Sequence, residues 1–254
     1  VASGYHAIEF LLWGQDLNGT GPGAGARPHT DFDTKRCTGG NCDRRVAYLK
    51  TSMQLLIDDL DEMVKNWQPK GKARQELMDN MDAALVAIFT GMGSLSYGEL
   101  AGERMKLGLL LNDPEEEHDC FSDNTHNSHY YNVLGIKNIY LGHYTRTDGR
   151  VVSGPSVSDL VKVRSSDVDA RVRSALDETM VRMETLKKRA ETVEAYDQMI
   201  GEGNAEGNAV VEAAIAALIA QTKEIERAVA ALELKPIQFE GSQSLDDPSK
   251  IDRK

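Results

Sequence analysis

Apolar side chains recur along most of the chain at alternating steps of three and four residues. Stripes of this kind run over residues 46–67, 77–92, 168–190 and 211–232. This spacing keeps apolar side chains on one face of an α-helix. The pattern therefore predicts long amphipathic helices packed in a bundle, with the methionines of these stripes filling the core.

Two stretches interrupt the helical pattern. Residues 14–43 are rich in glycine, and residues 112–144 open with Asp113-Pro114, which is typical of the start of a short helix. Long loops inside compact domains are often functional. Asp148-Gly149, between two short β-prone runs, predicts a small hairpin. The fold class predicted is all-α with one small β-hairpin.

Length and charge exclude some classes of partner. The chain has 254 residues and a formal net charge of −11, with an isoelectric point near 5.1. This acidic balance argues against nucleic acid and anionic membranes as partners. No apolar run approaches the roughly 18 residues of a transmembrane helix. A helical pattern already under way at the first residues, without an initiating methionine or signal peptide, suggests a processed chain with further residues upstream.

The three cysteines bear on the compartment. Cys37 and Cys42 enclose Thr-Gly-Gly-Asn, which is typical of a tight turn. A zinc knuckle would need a second Cys/His pair at a matching distance. We therefore expect a disulfide and an oxidising compartment such as a periplasm, with reduced, unpaired cysteines as the alternative. Cys120 is either buried and free or paired with a cysteine upstream.

Near the start of the chain, His6 and Glu9 stand directly before the apolar run Phe10–Trp13. Three residues apart on a helix, the two side chains share a face and can bind one ion or share one proton. The apolar run would bring that face into a dry environment. The pair is therefore either a metal-ligand pair or a buried pair in which each residue satisfies the other.

Neither standard metal-enzyme motif is present. The commonest zinc peptidases carry His-Glu-x-x-His, which this chain lacks. Ferritin-like di-iron sites need Glu-x-x-His on two helices, and only Glu115-x-x-His118 has that order. Four of the six histidines do lie between residues 118 and 143, among several tyrosines. This region is either part of a binding site or a polar connector.

Five segments of the chain resemble recurrent blocks of the imelysin family, in the same order. They are GYHAIEFLLWGQDL, with the family's Gly-x-His-x-x-Glu signature, then CDRRVAYL, GERMKLGLL, EEEHDCFSDNTH and FEGSQSLDDP. The resemblance implies two packed four-helix bundles. The first would be incomplete over residues 1–110, with a long Gly-rich disulfide loop, and the second would occupy residues 111–254, with a His/Tyr-rich loop.

The resemblance also implies a function and a location. Members are secreted or periplasmic proteins, often outer-membrane lipoproteins, tied to bacterial iron acquisition, and the family carries the name of a metallopeptidase class. The expected partners are therefore a metal ion or a metal chelate, other iron-uptake proteins, and the upstream segment of the same precursor. Nucleic acid is not expected.

We expect the site to lie in a pocket between the bundles. His6 and Glu9 are the predicted ligands of a transition metal, iron or zinc. The pocket candidates are Gly4, Glu103, Arg104, His118, Asp123 and His126, with His129 and His143 weaker. The first interpretation is a metal-binding protein of iron uptake. A zinc-type metallopeptidase and a non-catalytic protein that recruits a partner are the alternatives, and the lack of a standard peptidase motif disfavours the enzyme.

Overall fold

The computed structural model describes residues 2–251 and is helical outside one two-stranded hairpin. Val1 and residues 252–254, which the two predicted domains include, lie outside the described residues. The helices are α1 (Tyr5–Trp13), α2 (Cys42–Trp67), α3 (Lys72–Asp79), α4 (Met81–Ser94), α5 (Leu107–Leu111), α6 (Thr125–Leu141), α7 (Val157–Arg164), α8 (Ser166–Thr192), α9 (Tyr196–Ile200), α10 (Ala205–Ala231) and α11 (Gln243–Asp246).

A hairpin and three short 3₁₀ turns complete the secondary structure of the described residues. Strands β1 (His143–Thr145) and β2 (Val151–Ser153) pair antiparallel, with Tyr144 opposite Val152. Gly149, in the turn between them, has a φ of 81°, which a glycine adopts readily. The 3₁₀ turns are His29–Phe32, Pro114–Glu116 and Pro248–Lys250. The all-α class with one small hairpin is confirmed.

The core lies between four long helical segments: residues 81–111, α6, α8 and α10. The predicted stripes of α8 and α10 face each other across it, and Leu176 and Leu218 are buried there. Helix α10 packs both on residues 95–106 and on α8. The boundary between domains at residue 110 stays a prediction.

Residues 81–111 form one continuous helix whose middle part, Leu95–Lys106, is π-helical. By length and composition it could cross a membrane, with a mean hydropathy of 1.2 in its most apolar window. Phe89, Leu100 and Met105 from this helix are fully buried in the core. These side chains of the helix therefore contribute to the core of the bundle.

Glycines on the π-helical segment seat the chain that follows α10. A Cβ at Gly98 would lie 2.5 Å from the Glu240 carbonyl oxygen, and one at Gly102 would lie 2.2 Å from the Ser242 Cβ. Real Cβ contacts are not this short, so residues 239–242 can lie on the helix only because both positions lack a side chain.

Helix α2 forms where its stripe predicts, but the stripe is not buried within the described residues. Leu60, Met63 and Trp67 are 45%, 57% and 50% exposed. In the described part of the chain, α2 packs mainly on α1, α3 and the turn His29–Phe32. The expectation that this stripe lies at a bundle seam is therefore not met by the residues that the structure describes.

The second irregular stretch was predicted wrongly over half its length, because α6 occupies Thr125–Leu141. His129, Val133, Ile136 and Tyr140 are buried on one face of this helix, at steps of four, three and four. Because a histidine and a tyrosine stand in two of the four places, the apolar pattern is hidden in the sequence. Asp113 caps only the 3₁₀ turn Pro114–Glu116, through its side chain and the Glu115 backbone N–H.

Candidate metal centre

Helix α1 presents His6 and Glu9 on one face, as their spacing predicts. The Nδ1 atom of His6 lies 3.0 Å from Oε2 of Glu9. Gly4 precedes the helix with a φ of 89°, a conformation that favours glycine. Among the described residues, no atom outside its chain neighbours and its own helix lies within 4 Å of a Cβ built at Gly4. Its role is therefore backbone conformation, not the close approach of a second backbone.

Glu9 is buried and held by the loop before α6. Its Oε1 accepts hydrogen bonds from the Ser122 backbone N–H, at 3.0 Å, and from the Ser122 hydroxyl, at 2.6 Å. With Oε2 engaged by His6, both carboxylate oxygens have partners. Glu9 therefore fixes the orientation of the His6 ring and joins α1 to a loop more than a hundred residues away.

The same loop brings a second imidazole and a second carboxylate to His6. The rings of His6 and His118 meet edge to face, with centroids 4.7 Å apart. Oδ1 of Asp119 lies 3.7 Å from Nδ1 of His6. One potential ligand atom from each of His6, His118 and Asp119 lies within 4.8 Å of the others, and a metal ion with ligands at about 2.0–2.2 Å needs such a spacing.

The surroundings of His118 favour the neutral imidazole that a metal ligand must have. Burial, and then the positive charge of Arg104, lower the pKa of His118. A neutral imidazole has the free lone pair that a metal needs. Asp119 is held from two sides, because its backbone N–H donates to Thr125 Oγ1 at 2.8 Å and its carboxylate accepts from the Ser128 hydroxyl.

The Gly-rich stretch 14–41 is an ordered loop that packs against both parts of the centre. The Gly25 N–H donates to the Phe121 carbonyl, and the Arg27 N–H donates to the Trp13 carbonyl. Cys37 and Cys42 are joined in a disulfide at the end of this loop. The loop therefore connects α1 to the segment that carries His118 and Asp119.

Comparison with known protein families identifies the family of this chain. A family model described as Imelysin matches residues 1–225. The chain belongs to the imelysin family. No curated protein matches the chain. The match includes the Gly-x-His-x-x-Glu signature and the segment that carries His118 and Asp119, so both halves of the centre belong to the imelysin domain.

Two predicted pocket residues of this imelysin chain, Glu103 and Arg104, lie on the π-helical segment, and their side chains have different partners. Glu103 accepts a hydrogen bond from the Ser242 hydroxyl at 2.6 Å, so it fixes the segment after α10. Arg104 pairs with Glu99 at 3.1 Å. After burial, its positive charge is the next largest cause of the lowered pKa of His118. Arg104 therefore acts on the candidate centre through its charge, while its side chain pairs with Glu99.

Asp123 and His126 follow His118 and Asp119 in the chain, Asp123 in the loop before α6 and His126 in the first turn of α6. Asp123 has a φ of 55°, and one of its oxygens is buried without a hydrogen-bond partner among the described residues. Burial, with the charges of Asp16 and Glu9, raises the pKa of Asp123 to about 6. His126 is half-buried, with Nε2 3.1 Å from the Asn127 side-chain nitrogen. Burial lowers the pKa of His126.

His129 and His143, the two weaker pocket candidates, differ in burial. His129 is fully buried against the Tyr196 ring, with centroids 5.0 Å apart, and neither ring nitrogen has a partner within the described chain. Burial lowers the pKa of His129 well below its usual value. His143 is exposed in β1, where it lines a surface groove together with Tyr131 and Arg146.

Cys120 is half-buried and forms no disulfide with the described residues. Burial, together with the charges of Glu115 and Glu117, raises the pKa of the Cys120 thiol to about 12. The thiol stays protonated at neutral pH, so it is a poor metal ligand and a poor nucleophile there.

Sequence reasoning missed Asp119 and Ser122, and also three buried polar residues behind them. Those three are Glu117, Tyr196 and Asp197, each with at least one unpartnered oxygen in the described structure. Burial, and then the charge of Asp197, raises the pKa of Glu117 to about 9. One signal in the sequence was the concentration of polar and titratable residues in the segment EHDCFSDNTH. Asp119 and Ser122 lie in this segment, next to residues that the sequence did single out.

Proposed function

We propose that this imelysin-family protein binds a transition-metal ion through His6, His118 and Asp119 and serves bacterial iron acquisition. The convergence of these three ligand atoms within 4.8 Å supports the proposal. Two imidazoles and one carboxylate are the donor set of non-haem iron(II) sites with open positions, and they also suit zinc. The open positions would receive water or the donor atoms of a chelate.

Glu9 acts in this proposal as a positioning residue rather than a ligand. Its carboxylate is fully engaged by His6 and Ser122. A carboxylate on the second nitrogen of a ligating histidine fixes the ring and raises its basicity. The sequence predicted Glu9 as a ligand, and the geometry favours Asp119 for the oxygen donor.

The proposed location is the periplasm, with anchoring to the outer membrane as a lipoprotein and contact with other iron-uptake proteins. The Cys37–Cys42 disulfide supports an oxidising compartment. Membership of the imelysin family also supports an exported location.

Elemental analysis of the native, never-refolded protein, followed by titration with iron(II), zinc and manganese, tests the proposal. We expect one transition-metal ion per chain and loss of binding in His6→Ala and His118→Ala. Glu9→Gln should weaken binding by about 10- to 100-fold, as for other residues that position a ligand. His143→Ala is the matched control, because it removes an exposed histidine in β1 that is not one of the three proposed ligands. Equal binding by all variants would contradict the proposal.

A zinc-type metallopeptidase is the second candidate function, because three protein ligands with an open position are also the geometry of catalytic zinc. Hydrolysis of an unfolded protein that is blocked both by a chelator and by His6→Ala would support it. Metal binding without hydrolysis would support the binding protein. Partner recruitment without metal would be supported if His6→Ala and wild type both lack metal.

A further inference from the structure

A surface groove of about 980 Å³ runs along α6, and we call it the α6 groove. Helix α6 lines it with Tyr131, Leu134 and Asn138, which stand at steps of three and four on a face other than the buried one. Strand β1, the turn after it and Arg173 of α8 complete the lining. The volume is in the range of small-molecule sites. The described lining includes none of the three proposed metal ligands.

Cations line the α6 groove, although the chain as a whole is acidic. Lys137, Arg146 and Arg173 belong to the described lining, and no aspartate or glutamate does, in a chain with 40 acidic and 29 basic residues. Lys137 and Arg173 pair with carboxylates outside the lining, Asp177 at 2.8 Å and Asp169 at 3.0 Å. Arg146 is exposed and forms no ion pair with the described residues. Its guanidinium is therefore available to an anionic ligand, for which arginine has a favourable planar geometry.

Two tyrosine rings and two leucines form the apolar part of the α6 groove. Tyr131 and Tyr144 are both more than half exposed. Tyr131 packs edge to face against Tyr130, with ring centroids 5.2 Å apart, and Tyr144 belongs to β1, which is paired with β2. The leucines are Leu134 and Leu141. Tyrosine faces stack with planar rings, and an apolar, aromatic lining with a few charged groups is typical of small-molecule sites.

Gly135 supplies a second, independent indication. It lies in the interior of α6 and lines the groove, and a glycine inside a helix makes the fold less stable than an alanine would. Among the described residues, no atom outside its chain neighbours and its own helix lies within 4 Å of a Cβ built there. Packing within the described protein therefore does not require this glycine, in contrast to Gly98 and Gly102. A ligand that lies close to the helix backbone would require it.

We propose that the α6 groove binds a small aromatic anion, that is, a carboxylate or phosphate group attached to a planar ring. Arg146 would bind the anionic group, Tyr131 and Tyr144 would contact the ring, and Gly135 would leave room for it on the helix. Lys137 and Arg173 would add positive potential. This proposal is independent of the function proposed for His6, His118 and Asp119.

Titration of the whole chain with phenyl phosphate, benzoate, inorganic phosphate and phenol, followed by nuclear magnetic resonance, tests the proposal. We expect phenyl phosphate or benzoate to bind at least about 10-fold more tightly than inorganic phosphate and phenol, because only the aromatic anions use both the charge and the ring. The comparison of phenyl phosphate with benzoate shows which anionic group is preferred. The amide signals that shift should lie within residues 131–147.

Two variants of the groove should weaken binding for different reasons. Arg146→Gln should weaken it by about 10-fold or more, because it removes a charge-assisted hydrogen bond. Gly135→Ala should also weaken it, because the added methyl group fills the space above the helix. The same substitution should raise the melting temperature of the unliganded protein, since alanine favours the helix. A gain in stability together with a loss of binding is not expected of a glycine with a purely structural role.

Three controls match these variants. Arg182→Gln removes an arginine of α8 that pairs with Glu178 outside the groove, and it should keep full binding, which excludes an effect of net charge. Gly91→Ala should raise the melting temperature and keep full binding. His6→Ala should keep it as well, since the transition-metal centre is not involved. No preference of wild type for an aromatic anion, or undiminished binding in either Arg146→Gln or Gly135→Ala, would overturn the proposal.

Discussion

Burial of the His129 side chain opposes protonation of its ring. Its ring is fully buried, its nitrogens have no partners in the described chain, and burial keeps its pKa well below the usual value. The unfolded chain binds a proton at this position below about pH 6.5, and the folded chain does not. Stability from His129 is therefore complete above that pH and is lost as the pH falls through it.

We predict that His129→Phe flattens the acid limb of the stability curve. Relative to this variant, wild type should lose up to about 1.4 kcal/mol of unfolding free energy for each pH unit below about 6.5. Urea unfolding of both proteins at several pH values measures the difference. His143→Phe, in the exposed hairpin, should show no such pH-dependent difference, and a curve for His129→Phe parallel to that of wild type would contradict the prediction.

At the residue scale, the sequence singled out His6, Glu9 and His118, because the signature and the concentration of histidines mark them, and the structure brings these three side chains together. It did not single out Asp119, the oxygen donor that we propose. The loop that carries Asp119 has no periodicity, and its approach to α1 depends on contacts across more than a hundred residues, such as Ser122 with Glu9. Local patterns carry no information about such contacts.

At the scale of single elements, two glycines of the helix 81–111 allow the effect of helix propensity on stability to be measured apart from the effect of packing. Gly91 is exposed, and within the described part of the chain no atom outside its own helix lies within 4 Å of a Cβ built there. A Cβ at Gly102, in contrast, would lie 2.2 Å from the Ser242 Cβ. Gly91→Ala should therefore stabilise the protein by up to about 1 kcal/mol. Gly102→Ala should destabilise it by about 1–3 kcal/mol, because residues 239–242 must move.

Chemical denaturation of these two variants provides the measurement, and each is the control for the other. If Gly102→Ala is as stable as Gly91→Ala, the chain after α10 does not depend on close contact with the helix. Circular dichroism, which reports the helical content, is the signal for both unfolding curves.

The predicted elements were right where one residue type dominates the pattern and wrong where types are mixed. The stripes of α8 and α10 are apolar except at Thr222, and both helices form and face each other. Helix α6 was hidden because His129 and Tyr140 stand on its buried face. The stripe of α2 predicted the helix correctly, but periodicity alone does not show what covers a stripe.

At the scale of the whole molecule, the stripes on α2 and α10 look alike in sequence and differ in burial. Leu60 is 45% exposed, whereas Leu218 is fully buried in the core. We predict that Leu218→Ala lowers the unfolding free energy by about 2–5 kcal/mol. Leu60→Ala should change it by less than about 0.5 kcal/mol. Equal losses, measured by chemical denaturation, would mean that the stripe of α2 is covered within this chain.

Metal binding at the proposed centre should stabilise the whole molecule, because His6 and His118 come from elements that are far apart in the chain. An ion that binds only the folded state adds about 2.7 kcal/mol of unfolding free energy at 100 times its Kd. We expect this gain in wild type and His143→Ala, but not in His118→Ala. Since histidine ligands must be neutral, the gain should shrink at acidic pH, where protons compete with the metal for the imidazoles. Hydrogen exchange should slow together in residues 5–13 and 117–124 on metal addition. Slowing in only one of the two segments would contradict a shared metal ion, because ligands on both elements are needed to close the site.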